Sequence, residues 1–166
     1  MSLVFLIGMP GAGKSHWGRQ IAQRYMIPFT DLDKYIIHLE QCNIPDLFQK
    51  YGEELFRQKE HEYLKRLIYE AKPGTVIAAG GGTPCFLGNM ELMKQAGTTV
   101  YLKAAPERLL QNMRFTLEMR PLLRDKEDIN AFLNNMLAHR KQYYEQADYI
   151  LQTQDISIAI FGQIFT

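Results

Sequence analysis

Residues 8–15 read Gly-Met-Pro-Gly-Ala-Gly-Lys-Ser, and the spacing Gly8-x-x-x-x-Gly13-Lys14-Ser15 has the form of a phosphate-binding loop. Glycines let consecutive backbone N–H groups turn inward around phosphate oxygens, because no β-carbon obstructs the turn. A helix starting at Lys14 would add its positive end to the same place. Lys14 can reach the terminal phosphates of a bound nucleotide, and the Ser15 hydroxyl can ligate magnesium. Gly11, Ala12, Gly13 and His16 complete the stretch that would wrap the phosphates. The loop is not the dinucleotide fingerprint, since His16 stands where that pattern, read from Gly11, needs glycine. It implies a nucleoside triphosphate with Mg²⁺, but not the reaction. No N-K-x-D and no D-x-x-G occurs anywhere in the chain, which argues against a GTPase.

Asp31 and Asp33, in "TDLDK", alternate, so on an extended strand end they would point the same way. One carboxylate would hold the waters of a magnesium ion, and the other would orient or deprotonate an acceptor hydroxyl. The plainer alternative is an Asp helix cap with a solvated neighbour. Arg57 and Glu60 lie one turn apart on a helix, either as an orienting pair or as an ordinary surface ion pair. The planar fork of Arg57 suits the carboxylate of a small substrate. Gly80, Gly81 and Gly82 either let backbone approach a ligand or simply turn the chain. Arg114, Arg120 and Arg124 surround Pro121 in a candidate lid, or in a solvated basic loop. Arg140 would complete a carboxylate clamp with Arg57, if it is not a surface arginine.

These residues need a scaffold, and the apolar pattern supplies one. "SLVFLI" (2–7) reads as a strand buried on both faces, as in a parallel sheet. Further strands are expected at 27–33, 74–82, 97–104 and 147–153. Helices are expected from Lys14, over 33–41, from Pro45 to Ala71 with a break at Gly52, from 106 to 113, over 127–146 and over 155–165. No element is assigned to 83–96. Strands separated by helices argue for a parallel sheet with helices on both faces. Ligands bind beyond the carboxyl ends of such strands, where the loop at 8–15, the two aspartates and the glycine triplet all fall.

The whole chain sets bounds. It has 166 residues, 46% of them apolar, and a formal net charge of +1. One domain is expected, with no nucleic acid and no anionic membrane as partner. Cys42 and Cys85 are too few for a disulfide framework or a zinc site and read as reduced thiols. The apolar start lacks the charge and length of a signal peptide, and no run approaches the length of a membrane span. A soluble, cytoplasmic monomer is the expectation.

Taken together, "GMPGAGKS", "FTDLD", "IPDLFQKYGEELFRQKE", "IAAGGGTP", "RPLL" and "RKQYYEQAD" resemble, in this order, the shikimate kinases. These are small nucleoside-monophosphate-kinase-like enzymes of chorismate and aromatic amino-acid biosynthesis. The resemblance implies a three-layer α/β P-loop NTPase fold with a five-stranded parallel sheet. Substrate-binding helices would lie at about 31–62, and a mobile lid at about 112–124. It implies phosphorylation of the shikimate 3-hydroxyl by ATP with Mg²⁺. Gly11 to Ser15 would then hold the ATP phosphates, with Ser15 on magnesium and Asp31 near it through water. Asp33 would bind the substrate hydroxyls and act as the base. Arg57 and Arg140 would hold the shikimate carboxylate, Gly81 would meet the substrate through its backbone, and Arg120 would touch the phosphates from the lid. The chain departs from the family pattern at three places. Met113, with Arg114 beside it, stands where a further lid arginine is common, and His16 replaces a more usual threonine. The tail after Leu151 has no arginine for the adenine, leaving Gln154 as a candidate. Two rival readings are a gluconate kinase, whose substrate is also a hydroxylated acid, and a nucleotide-binding module without turnover.

Overall fold

The apolar run at the amino terminus forms a strand, β1 (Leu3–Ile7), whose five residues are all buried. A computed structural model of the chain describes residues 2–118 and 126–164. After β1 come α1 (Lys14–Tyr25), β2 (Phe29–Asp31), α2 (Leu32–Glu40) and α3 (Ile44–Glu70). There follow β3 (Val76–Ala78), a single 3-10 turn (Thr83–Cys85), α4 (Asn89–Ala96) and β4 (Gly97–Lys103). α5 (Pro106–Glu118), α6 (Lys126–Tyr144), β5 (Tyr149–Gln152) and α7 (Ile158–Gly162) complete the order.

The five strands form one sheet in the order β2-β3-β1-β4-β5. Every pairing is parallel, with Val4 opposite both Val76 and Thr98, and Val100 opposite Tyr149. Because all strands run the same way, their carboxyl ends share one edge. Phe5, Leu6, Ile7, Ile77, Val100 and Leu102 are fully buried in the sheet, and Tyr144 and Phe161 pack against it from the helical layers. That burial is the main source of stability, at ~25 cal/mol per Å² of apolar surface.

Local chemistry sets the helix boundaries that matter for function. Asp31 caps α2, its Oδ1 accepting from the Lys34 N–H at 3.2 Å. Asn43 caps α3 by accepting from the Asp46 N–H at 2.9 Å, with Pro45 in the first turn. Gly52 breaks α3 with φ 74° and ψ 169°, as its sequence position suggests.

Three expectations are corrected. The second strand is shorter than 27–33 and ends at Asp31, so Asp33 lies in the first turn of α2 and not on an extended strand. The two carboxylates therefore converge through a strand-to-helix turn, with Asp31 as both cap and site residue. Second, α4 lies where no element was assigned; it has only eight residues and follows a glycine cap, Gly88, instead of a polar one. Third, α5 runs on to Glu118, and α7 is shorter than 155–165.

Candidate active site

The loop after β1 is built for an anion. Gly13, at the cap of α1, has φ 90°, a left-handed conformation that a side chain would strain. The ammonium of Lys14 folds back to donate to the carbonyls of Gly8 (2.8 Å) and Met9 (2.9 Å). Burial pulls its pKa down to about 8, against the opposing attraction of Asp33. Ala12 is buried beneath the loop, its N–H donating to the Met9 carbonyl at 3.1 Å.

The Ser15 hydroxyl donates to Asp31 Oδ2. This pair of adjacent hard oxygens beside the loop suits magnesium, which keeps several waters and takes few protein ligands. Among the described residues, no group of three or more His, Cys, Asp or Glu could hold a metal. The Ser15 and Asp31 oxygens leave the other positions around such an ion to water and phosphate oxygens. Lys14, Ser15, His16, Asp31, Asp33, Gly80 and Gly81 line a cavity of about 300 Å³. Burial, then the negative charges of Asp31 and Glu60, push the Asp33 carboxyl up to about 6.

The glycine triplet lets three charged side chains approach the backbone. A β-carbon on Gly80 would lie 3.0 Å from Asp33 Oδ1, one on Gly81 3.1 Å from Arg140 Nη1, and one on Gly82 2.5 Å from Arg57 Nη2. Arg57 is not a surface arginine: it is 8% exposed, and its Nη1 donates to Glu60 Oε2 at 2.8 Å. Its guanidinium lies over Phe86, 4.3 Å from the ring centre, with Phe48 and Phe56 at 5.4 Å. Arg57 Nε and Arg140 Nη1 are buried without a hydrogen-bond partner among the described residues. Two such donors beside one glycine turn make a strong demand for an anion.

Sequence reasoning missed Tyr144, whose hydroxyl donates to the Gly81 carbonyl at 2.6 Å. The signal was its i,i+4 spacing from Arg140, which puts both on one face of α6. Also missed were Arg108 and Asn112, one turn apart on α5. With Trp17, Thr153 and the loop residues Gly11 to Gly13 and His16, they line a second cavity of about 400 Å³ on the other side of the loop. Asn112 donates to the Gly11 carbonyl at 2.7 Å. Thr153, and not its neighbour Gln154, lines this cavity. Met113 is buried, and its Cγ lies 2.9 Å from where a β-carbon on Gly11 would sit. The position expected to carry a lid arginine thus packs against the phosphate loop. Arg120, Arg124 and the side chain of Arg114 lie outside the described residues.

A phosphate loop and a small acceptor cavity, side by side at the carboxyl edge of this parallel sheet, define a P-loop kinase for a small anionic acceptor. The family model described as shikimate kinase matches residues 10–166, and the chain belongs to the shikimate kinase family. A shikimate kinase from Azobacteroides pseudotrichonymphae is 42% identical over 152 residues, covering 90% of this chain and 89% of the relative. The crystal structure of shikimate kinase from Bacteroides thetaiotaomicron has a TM-score of 0.85 at 31% identity, covering 99% of this chain and 94% of that one. Shikimate kinase from Acinetobacter baumannii in complex with shikimate also gives 0.85, at 32% identity, covering 98% and 89%. A gluconokinase from Sinorhizobium meliloti shares the fold alone, at 14% identity and a TM-score of 0.59.

Proposed function

We propose that this chain transfers the γ-phosphoryl group of ATP to the 3-hydroxyl of shikimate, giving shikimate 3-phosphate and ADP in the shikimate pathway of aromatic amino-acid biosynthesis. Family membership supports the reaction. The observation that carries the substrate assignment is that Arg57 and Arg140 both lie against the triple glycine, each with one buried guanidinium N–H that has no partner among the described residues. A carboxylate between them would satisfy both.

In this reading Lys14 and the loop N–H groups from Gly11 to Ser15 hold the phosphates, and His16 borders them. Ser15 directly, and Asp31 through water, would hold magnesium, which would supply charge neutralisation at the transferring phosphoryl group. Asp33 binds the acceptor hydroxyl and takes its proton, for which a pKa near 6 is well matched to neutral pH. Arg57 and Arg140 fix the carboxylate, and Gly81 borders the acceptor through its backbone. Fixing both ends of the acceptor converts an encounter into an in-line geometry. The cavity lined by Trp17, Arg108, Asn112 and Thr153 takes the adenine end. Arg120, in a lid at about 112–124, supplies a further cation to the phosphates. The five strands share one sheet, consistent with a single domain over 1–166. Among the described residues no helix is long and apolar enough to cross a membrane. The free thiols of Cys42 and Cys85 suit a reducing cytoplasm. The reading takes the chain as a monomer.

The test is coupled ADP release with ATP and Mg²⁺ and, in parallel, shikimate, gluconate or no acceptor. ADP formed with shikimate alone supports the reading. ADP formed with gluconate overturns the clamp assignment, and nucleotide binding without turnover returns the chain to the regulatory class.

A further inference from the structure

Four residues form a ring behind Arg57, made of three hydrogen bonds and the peptide link between Glu60 and His61. Thr83 Oγ1 donates to Glu60 Oε1 at 2.7 Å. The Thr83 carbonyl accepts from Asn89 Nδ2 at 2.9 Å. Asn89 Oδ1 meets His61 Nδ1 at 2.6 Å. The Asn89 nitrogen is committed to Thr83, so its oxygen is the acceptor and His61 Nδ1 carries the proton. His61 follows Glu60 on α3, and the ring is closed. Glu60 Oε2, the oxygen not used in the ring, accepts from Arg57 Nη1 at 2.8 Å. Thr83 and Asn89 are 0% exposed and Glu60 is 1% exposed. His61, half-buried, is the outer member.

The geometry points to a positioning role for Thr83, Asn89 and His61: their ring sets the place of the Arg57 guanidinium, and through it the affinity for the acceptor's carboxylate. This rests on the reading of Arg57 as a carboxylate ligand. The physical argument starts at Glu60. A carboxylate sealed from water needs a donor on each oxygen, here Thr83 for one and Arg57 for the other. Without the Thr83 hydroxyl, Oε1 is buried and unpaired. The carboxylate then turns towards the nearest donor, Arg57, and takes the guanidinium with it. Thr83 keeps its own place because Asn89 pins its carbonyl and His61 pins the Asn89 carboxamide. The same bonds tie the turn at Thr83–Cys85 to α3. They thereby set the spacing between Arg57 and Gly82, where there is no slack for a β-carbon. Apolar packing would also join the two elements, but would not fix the rotation of the carboxylate.

The test is steady-state kinetics, varying shikimate and ATP separately, on the full chain and five variants: Thr83→Val, Thr83→Ser, His61→Leu, His61→Asn and Arg57→Ala. Thr83→Val is expected to raise KM for shikimate about tenfold. Its kcat and its KM for ATP should stay within about twofold of the parent. His61→Leu should shift KM for shikimate in the same direction by less. Thr83→Ser and His61→Asn, which keep a donor, should restore most of the affinity. An unchanged KM for shikimate in the Val and Leu variants, with Arg57→Ala raising it, overturns the proposal and leaves the clamp standing. A loss in kcat alone overturns it too. An unchanged KM in Arg57→Ala overturns the clamp reading and the proposal with it. Should Thr83→Val fail to fold, the His61 pair decides.

Discussion

Arg57 and Gly82 are in contact to the limit of packing: the guanidinium Nη2 lies 2.5 Å from where a β-carbon on Gly82 would sit. No ordinary β-carbon tolerates that distance, so the absence of a side chain at 82 and the position of Arg57 are one structural fact. Both sides are fixed, since Phe86 stacks on the guanidinium and Glu60 holds its Nη1.

Gly82→Ala should therefore act as an Arg57 variant. Displacing the guanidinium by even an ångström is expected to raise KM for shikimate roughly tenfold or more. The KM for ATP should be unaffected, because the phosphate loop lies on a different turn. Initial rates at varied concentrations of each substrate check this; an equal effect on both would mean that the change had spread to the loop.

Asp33 should set the acid side of the pH profile. Its carboxyl is pushed up to about 6, and a base must be ionised, so kcat/KM for shikimate should fall as pH drops through about 6. Asp33→Asn should remove that limb and lower kcat by at least about 10²-fold, with nucleotide binding retained. Stability should move the other way. A carboxyl with a raised pKa in the folded state contributes its stability when neutral and loses it as pH rises through the folded value. At pH about 7, Asp33→Asn should raise Tm by roughly 2–5 °C, a gain that shrinks towards pH about 4. Thermal melts at the two pH values decide it.

Lys14 should govern the alkaline side of nucleotide binding. Burial brings its ammonium down to about 8 in the free protein. Above that pH, phosphate binding must first recruit a proton, so affinity for ATP should fall. Trp17 is the single tryptophan and lines the cavity beside the loop, which makes its fluorescence the direct readout. A flat affinity between pH about 7 and about 9 would count against the assignment.

Met113→Arg should be harmful. The position lies under the phosphate loop, against Gly11, so a guanidinium there would have to be buried where a thioether now packs. The expected cost is about 3 kcal/mol of stability. Chemical denaturation measures it; a gain in activity without loss of stability would place the side chain in solvent after all.

The readable parts of the site were the local ones. Gly8 to Ser15 declared their chemistry because the whole motif is contiguous and its glycines mark backbone geometry directly. Asp31 and Asp33 were recognisable as a pair, but the turn that joins them was not, since the same Asp31 serves as the cap of α2. Arg57 and Arg140 are separated by half of the chain; the residues alone offered the clamp only beside the commoner reading of surface arginines, and it was the resemblance to a family that favoured it. The strands were legible because β1 and β3 are apolar on both faces. α4 was not, because two turns behind a glycine cap give too short a period to read. Thr83, opening a single 3-10 turn, and Asn89, at the first position of α4, carry no signal as isolated polar residues; only burial turns them into a network.

The Lys14 ammonium rests on the carbonyls of Gly8 and Met9, two oxygens of the loop it belongs to. The free loop is therefore already internally compensated, and an incoming anion enters by exchange rather than by filling a void. A weakly charged anion offers the lysine little more than those carbonyls do, whereas a polyphosphate offers several oxygens and a larger charge at once. Giving up the resting contact is a cost that any anion must exceed, and a polyphosphate exceeds it by more than a monovalent anion does.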